Sequence, residues 1–230
     1  LYSTTYSITL PYAVEVKVIS PVPIYYANGV PENVNTTVSL PVPSVIKFNE
    51  TYYVSNTERY LLNGVKVNGV YYPNTTIYLT NAGFYTIFPQ YVLQYYLNIP
   101  FQLKAYVNNT LTTIGPGWYN AGTIIRIPPQ NVTSNGELYE VQGTTFIVDS
   151  SEFSLPFEVY YYVSISQPIP ANVNGVNETI SSGYYKAGTT ITIYKYYYIN
   201  SSARYVISTN QYKVVVEGPI TLTVSAQLQY

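Results

Sequence analysis

Large apolar residues alternate from the start of the chain: Tyr2, Tyr6, Ile8, Leu10, Tyr12, Val14, Val16 and Val18 are even, while Ser3, Thr5, Ser7, Thr9, Ala13, Glu15 and Lys17 are odd. With Thr4 the one polar exception, this period of two predicts strand with a single buried face. Pro11 has no amide hydrogen for a ladder, so it divides the run into Leu1 to Leu10 and Tyr12 to Ser20. The first piece has no Gly-rich turn that would fold it onto the second. An apolar strand face without a hairpin partner has two outlets. One is an edge of the chain's own sheet; the other is the sheet of a neighbouring copy, as in donor-strand complementation.

The same patterning continues. Pro21 to Pro43 reads as a short strand bracketed by extended connections, and Ser44 to Val54 as a further strand. Between Leu61 and Tyr72 stand two Asn-Gly pairs, Asn63-Gly64 and Asn68-Gly69, too close together for both to be type I′ hairpin turns. Thr76 to Thr80 and Phe84 to Phe88 continue the series. Tyr91 to Asn98, flanked by Pro89 and Pro100, reads as strand or extended chain rather than helix. No segment sustains a period of 3.6 with caps, so the fold class is all-β. Gly218 to Tyr230 alternates again and is the expected closing strand, with Ile220, Leu222, Val224 and Leu228 the candidates for a groove beside an inserted donor.

The second half repeats itself. Gly117-Trp118-Tyr119-Asn120-Ala121-Gly122-Thr123-Ile124-Ile125-Arg126-Ile127 matches Gly183-Tyr184-Tyr185-Lys186-Ala187-Gly188-Thr189-Thr190-Ile191-Thr192-Ile193. A weaker third copy is expected at Asn74 to Gly83. The unit is a strand, an aromatic pair, an Xaa-Ala-Gly turn and a Thr/Ile strand. So few copies at uneven spacing predict a sandwich with internal similarity, not a solenoid. Pro128-Pro129 and Gln167 to Pro170 are candidate joints, which separate two lobes or cross from one sheet to the other. The expected organisation is an Ig-like, pilin-like β-sandwich head over residues 12–230, allowing two lobes meeting near 128–131, with an N-terminal donor strand over 1–11.

Composition narrows the function. Charged residues are 9% of the chain and the net charge is −1, which argues against nucleic acid or an anionic membrane as partner. There is no Cys and no His, so disulfides, thiolate chemistry and most transition-metal sites are out of reach, and neither a metal nor a cofactor is expected. The chain also lacks Met, which predicts a processed product exported with a cleaved signal peptide. No run of eighteen apolar residues spans a membrane. Sequons stand at Asn35, Asn49, Asn74, Asn108, Asn131, Asn177 and Asn200, spread over the whole length, and N-linked glycans are expected there. Thirty tyrosines replace charge as the amphipathic component. With eleven carboxylates and ten basic residues there are few ion pairs to lose in acid.

Catalysis has little to work with. Glu137 with Glu140 and Asp149 with Glu152 are the close acidic pairs, and such pairs are most often solvated turns. No enzyme is expected. Asp149, the one aspartate, is the candidate for an isopeptide bond with a lysine or the N-terminal amine; the simpler reading is a surface turn. Trp118 and Tyr119 could offer a sugar-stacking platform, which keeps a monomeric adhesin or carbohydrate-binding sandwich as the alternative.

The alternating N-terminal strand, the sequons, the abundance of Tyr, Thr, Asn and Val, and the absence of Cys together resemble the thread filament subunits of Sulfolobus-type thermoacidophilic archaea. The resemblance rests on whole-chain style and on Leu1 to Leu10, with no short diagnostic motif. It implies an extracellular, glycosylated, head-to-tail homopolymer. In it Tyr2, Tyr6, Ile8 and Leu10 enter the groove of an identical subunit, and the filament contacts other cells or surfaces.

Overall fold

The computed structural model describes residues 13–230, and every regular element among them is a strand. The first ten are β1 (Ala13–Val18), β2 (Ile24–Ala27), β3 (Val30–Asn33), β4 (Thr37–Pro41), β5 (Ser44–Lys47), β6 (Thr51–Tyr53), β7 (Glu58–Val67), β8 (Val70–Tyr72), β9 (Thr76–Leu79) and β10 (Gly83–Leu97). Then come β11 (Leu103–Val107), β12 (Thr110–Ile114), β13 (Gly117–Asn120), β14 (Ile124–Ile127), β15 (Gln130–Ser134), β16 (Glu137–Val141), β17 (Thr144–Ile147) and β18 (Phe157–Ile165). The last are β19 (Ile169–Val173), β20 (Val176–Ile180), β21 (Gly183–Lys186), β22 (Thr190–Ile193), β23 (Tyr196–Asn200), β24 (Ala203–Thr209), β25 (Lys213–Val215), β26 (Ile220–Leu222) and β27 (Val224–Gln229). The all-β expectation holds. Tyr91 to Leu97, the one stretch with a helical alternative, lies inside β10.

The chain divides into two compact units with interleaved segments: residues up to Gln102 with Gly115–Ile124 and Ile147–Phe153, and Leu103–Ile114 with Ile125–Phe146 and Ser154–Tyr230. Pro128-Pro129 lies inside the second. In the first unit, a sheet of order β4-β1-β10-β7-β6 packs on one of order β3-β2-β5-β9. Val14, Val16, Val18, Tyr25, Ile46, Phe48, Val65 and Ile87 fill the space between them. β1 supplies Val14, Val16 and Val18 to that core, each 0% exposed, as its alternation requires. In the second unit, β15-β16-β18-β21, with β26 on β18, faces β20-β19-β22-β25, and β23-β24-β27 forms a further sheet. Its core includes Val163, Ile165, Ile169, Ile191, Ile207 and Leu222.

The repeat is wider than its sequence motif. Three times the chain lays down a long strand (β1, the later half of β10, β18), a hairpin (β2-β3, β11-β12, β19-β20), a strand antiparallel to the first (β4, β13, β21), and a strand paired with the hairpin (β5, β14, β22). The hairpins turn on Asn28-Gly29, Asn108-Asn109 and Asn174-Gly175, all at positive φ as type I′ turns require. The Xaa-Ala-Gly-Thr segment is therefore not a hairpin turn. It carries the chain from one sheet to the other, with buried Thr123 and Thr189 at the crossing. The third copy is not at Asn74 to Gly83 but at Ala13 to Lys47, where Pro41-Val42-Pro43-Ser44 replaces the Ala-Gly-Thr turn and puts Ser44 at the buried position.

Of the two close Asn-Gly pairs, Asn68-Gly69 makes the turn between β7 and β8. Gly64, at φ +122, lies within β7 under the Tyr71 ring.

Candidate assembly site

The first two repeats are joined by a strand that serves both. The early half of β10 closes the first repeat by running parallel to β1, with Val16 opposite Tyr85. Its later half opens the second, pairing with β13 from Gln94 to Leu97. A two-stranded outrigger holds the middle of each joint: β6-β7 against β10, β15-β16 against β18, and β23-β24 against β27. In all three a tyrosine occupies the same register, Tyr60 opposite Leu93, Tyr139 opposite Val159 and Tyr205 opposite Leu228.

The joints differ in chemistry. At the first, the Arg59 guanidinium lies 4.3 Å from the Trp118 ring centroid, and Tyr53 and Tyr96 meet that ring edge-on at 6.0 and 5.5 Å. Arg59 Nε donates to Gln94 Oε1 at 2.8 Å, and Gln94 Nε2 donates to Asn120 Oδ1 at 2.8 Å. At the second, Tyr160 lies within hydrogen-bonding distance of Glu140 (2.9 Å) and Glu158 (3.1 Å), and Lys186 donates to Glu158 at 2.6 Å. These carboxylates push the Tyr160 phenol up to about 12, and the lysine bond holds Glu158 below its usual range. At the third, Arg204 donates to Gln229 Oε1 from Nε at 3.4 Å and from Nη2 at 3.2 Å, repeating the pair of Arg59 and Gln94. The Arg204 guanidinium also stacks on Tyr196 at 4.7 Å. A cavity of about 210 Å³ opens here, lined in part by Tyr198, Arg204, Gln229 and Tyr230.

The repeated aromatic pair now has an explanation. Trp118 and Tyr184 pack edge-on against their cross-strand partners Tyr96 and Tyr162. Tyr119 and Tyr185 turn the other way and donate to the carbonyls of Gly115 (2.7 Å) and Ser181 (2.9 Å), four residues upstream. Trp118, the candidate sugar platform, is half-buried and already stacked. Arg59 with Gln94 and Arg204 with Gln229 went unread in the sequence. Their signal was an Arg-Tyr dipeptide at 59–60 and 204–205, each with a glutamine on a strand three elements further along the chain.

Tyr2, Tyr6, Ile8 and Leu10 lie outside the described residues. Of the groove candidates, Leu222 and Val224 are buried in the second unit's own core, Ile220 packs against it, and Leu228 is 42% exposed. Six sequon asparagines, Asn35, Asn74, Asn108, Asn131, Asn177 and Asn200, are exposed, and Asn49 is half-buried. Asn177 is held by its oxygen, which accepts from Tyr194 at 2.7 Å and Asn172 at 2.9 Å, leaving the nitrogen that an N-linked sugar uses.

Glu137 and Glu140 are three apart on β16 and so point to opposite faces. Glu137 accepts from Tyr139 and Glu140 from Tyr160. Asp149 is exposed beyond β17 and forms no ion pair among the described residues. No group of three potential metal ligands gathers among the described residues, and no helix there is long and apolar enough to cross a membrane. No family model, curated protein or solved structure matches the chain.

Proposed function

We propose that this protein is the structural subunit of an extracellular, glycosylated filament, in which the N-terminal strand of one copy completes the sheet of the next. The supporting observation is the shared joint. Within the chain, the first two repeats are linked by a continuous stretch, β10, whose early half ends one repeat and whose later half begins the next, and the β6-β7 outrigger holds that stretch from the side. The alternating sequence before Ala13 has the composition of such a stretch and leads directly into β1. A copy joined to its neighbour by this segment extends the series of repeats from molecule to molecule. The contact is heterologous and does not close on itself, so it propagates as a fibre.

The spread of exposed sequons over both units supports a sugar-coated surface, and the absence of Cys supports an assembly held by strand pairing instead of disulfides. Burial of Tyr6, Ile8 and Leu10 would contribute roughly 1.5–3 kcal/mol each, enough to offset the cost of ordering the segment only where its site is preformed. Replacing Ile8 and Leu10 together by Asp is expected to leave a folded head, with its strand-rich circular dichroism intact, and to abolish polymer in electron micrographs. Polymer of normal length from the double variant contradicts the proposal.

A further inference from the structure

The joints share one register, and it assigns two segments of the chain to one place. Val16 opposite Tyr85 in the first repeat corresponds to Val163 opposite Ile220 in the last. Arg59 opposite Gln94 likewise corresponds to Arg204 opposite Gln229. Both give the same offset, so β26 and β27 stand where β10 stands: Leu222 matches Ile87 and Val224 matches Pro89, all four buried. β4 pairs with β1 as β13 pairs with β10, which makes Ala13 the counterpart of Gln94. Counting back from Ala13, Tyr6 falls on the position of Ile87 and Leu222, Ile8 on that of Pro89 and Val224, Leu10 on that of Tyr91 and Ala226, and Tyr12 on that of Leu93 and Leu228.

The strand resident at the third joint fits poorly. At the two internal joints an aromatic residue meets the outrigger tyrosine edge-on, Tyr91 with Tyr60 at 6.3 Å and Phe157 with Tyr139 at 5.5 Å. At the third, the residue diagonal to Tyr205 is Ala226, and Gln227 stands where β10 has Val92. β26 is also short. It pairs with β18 over three residues, where β10 pairs with β1 over five.

We infer that β26 and β27 are a placeholder, closing the free head at the site that residues 2–12 of a second copy take over in the filament. This rests on the filament reading and specifies its acceptor. The incoming segment would pair parallel to β18 and antiparallel to β24, putting Tyr6 in the place of Leu222, Ile8 in that of Val224 and Leu10 in that of Ala226. It would gain apolar volume against Tyr205 and give up the bond between Arg204 and Gln229, which is exposed and long. A self-closed head exposes no empty slot, so the free subunit stays soluble until exchange.

Ser208 and Ser225 lie directly opposite each other on β24 and β27, both exposed, in a chain with no other thiol, so replacing both by Cys can tie the placeholder down. The oxidised full-length variant is expected to remain monomeric, and its reduced form to polymerise like the parent. Equal polymerisation of both forms overturns the inference while leaving the filament reading in place. Absence of polymer from the parent overturns both. A second variant needs no cross-link. Ala226→Tyr supplies the ring missing at this joint, which should raise the head's melting temperature and slow polymerisation about tenfold. A stabilised head that assembles at the parent's rate also overturns it.

Discussion

Tyr25 is fully buried between the sheets of the first unit, 6.1 Å from Phe48, and its hydroxyl has no hydrogen-bond partner among the described residues. A buried hydroxyl without a partner costs free energy, and burial followed by the field of Glu32 pushes its phenol up. Tyr25→Phe is expected to stabilise the head by about 1 kcal/mol in denaturant melts; a comparable loss would mean that the hydroxyl has a partner. Tyrosines also set the alkaline limit. Burial raises Tyr91 to about 12, and carboxylate neighbours raise Tyr139 and Tyr160 equally far. The unfolded chain releases these protons near 10 and the folded one near 12, so stability should be complete below about pH 10 and decline from there to about pH 12. Tyrosinate absorbance should rise together with the loss of strand signal in that window. Titration well below it with the fold intact would contradict the assignment.

At the scale of elements, glycine and asparagine carry much of the specification. Gly64 combines φ +122 with an ideal Cβ position 2.5 Å from the Tyr71 hydroxyl. The exposed tyrosine can swing aside, but the backbone angle cannot be relieved. Gly64→Ala should therefore cost about 1–3 kcal/mol, measured by thermal or denaturant unfolding. Tyr71→Ala in the same background should recover little of it; full recovery would show that the ring, not the angle, is the constraint. The strands were legible because alternation is a local signal: β1 was readable from Val14, Val16 and Val18 alone. Sheet membership was not. The Ala121-Gly122-Thr123 crossing reads like a hairpin turn, because a compact turn between Tyr and Ile strands has the same composition whether it returns to its own sheet or passes to another. The first repeat was hidden for a related reason. Pro41-Val42-Pro43-Ser44 does the geometric work of Ala-Gly-Thr without sharing its letters, so only the pairing of β1 with β4 reveals it. The joint pairs Arg59 with Gln94 and Arg204 with Gln229 lie 35 and 25 residues apart and depend on long-range register, which no local pattern encodes.

For the whole molecule, repetition matters more than any single site. The first repeat is completed by β10, whose sequence continues into the second, so a repeat of this design takes its closing strand from the segment that opens a neighbour. The central claim is that residues before Ala13 join one copy to another by this device. It is tested most directly by sizing the purified full-length protein beside a version lacking Leu1 to Leu10, at matched concentration, by light scattering and electron microscopy. Long polymers from the full chain and a folded monomer from the shortened one are the predicted result. Equal, stable monomers from both, or equal polymers from both, would contradict the account.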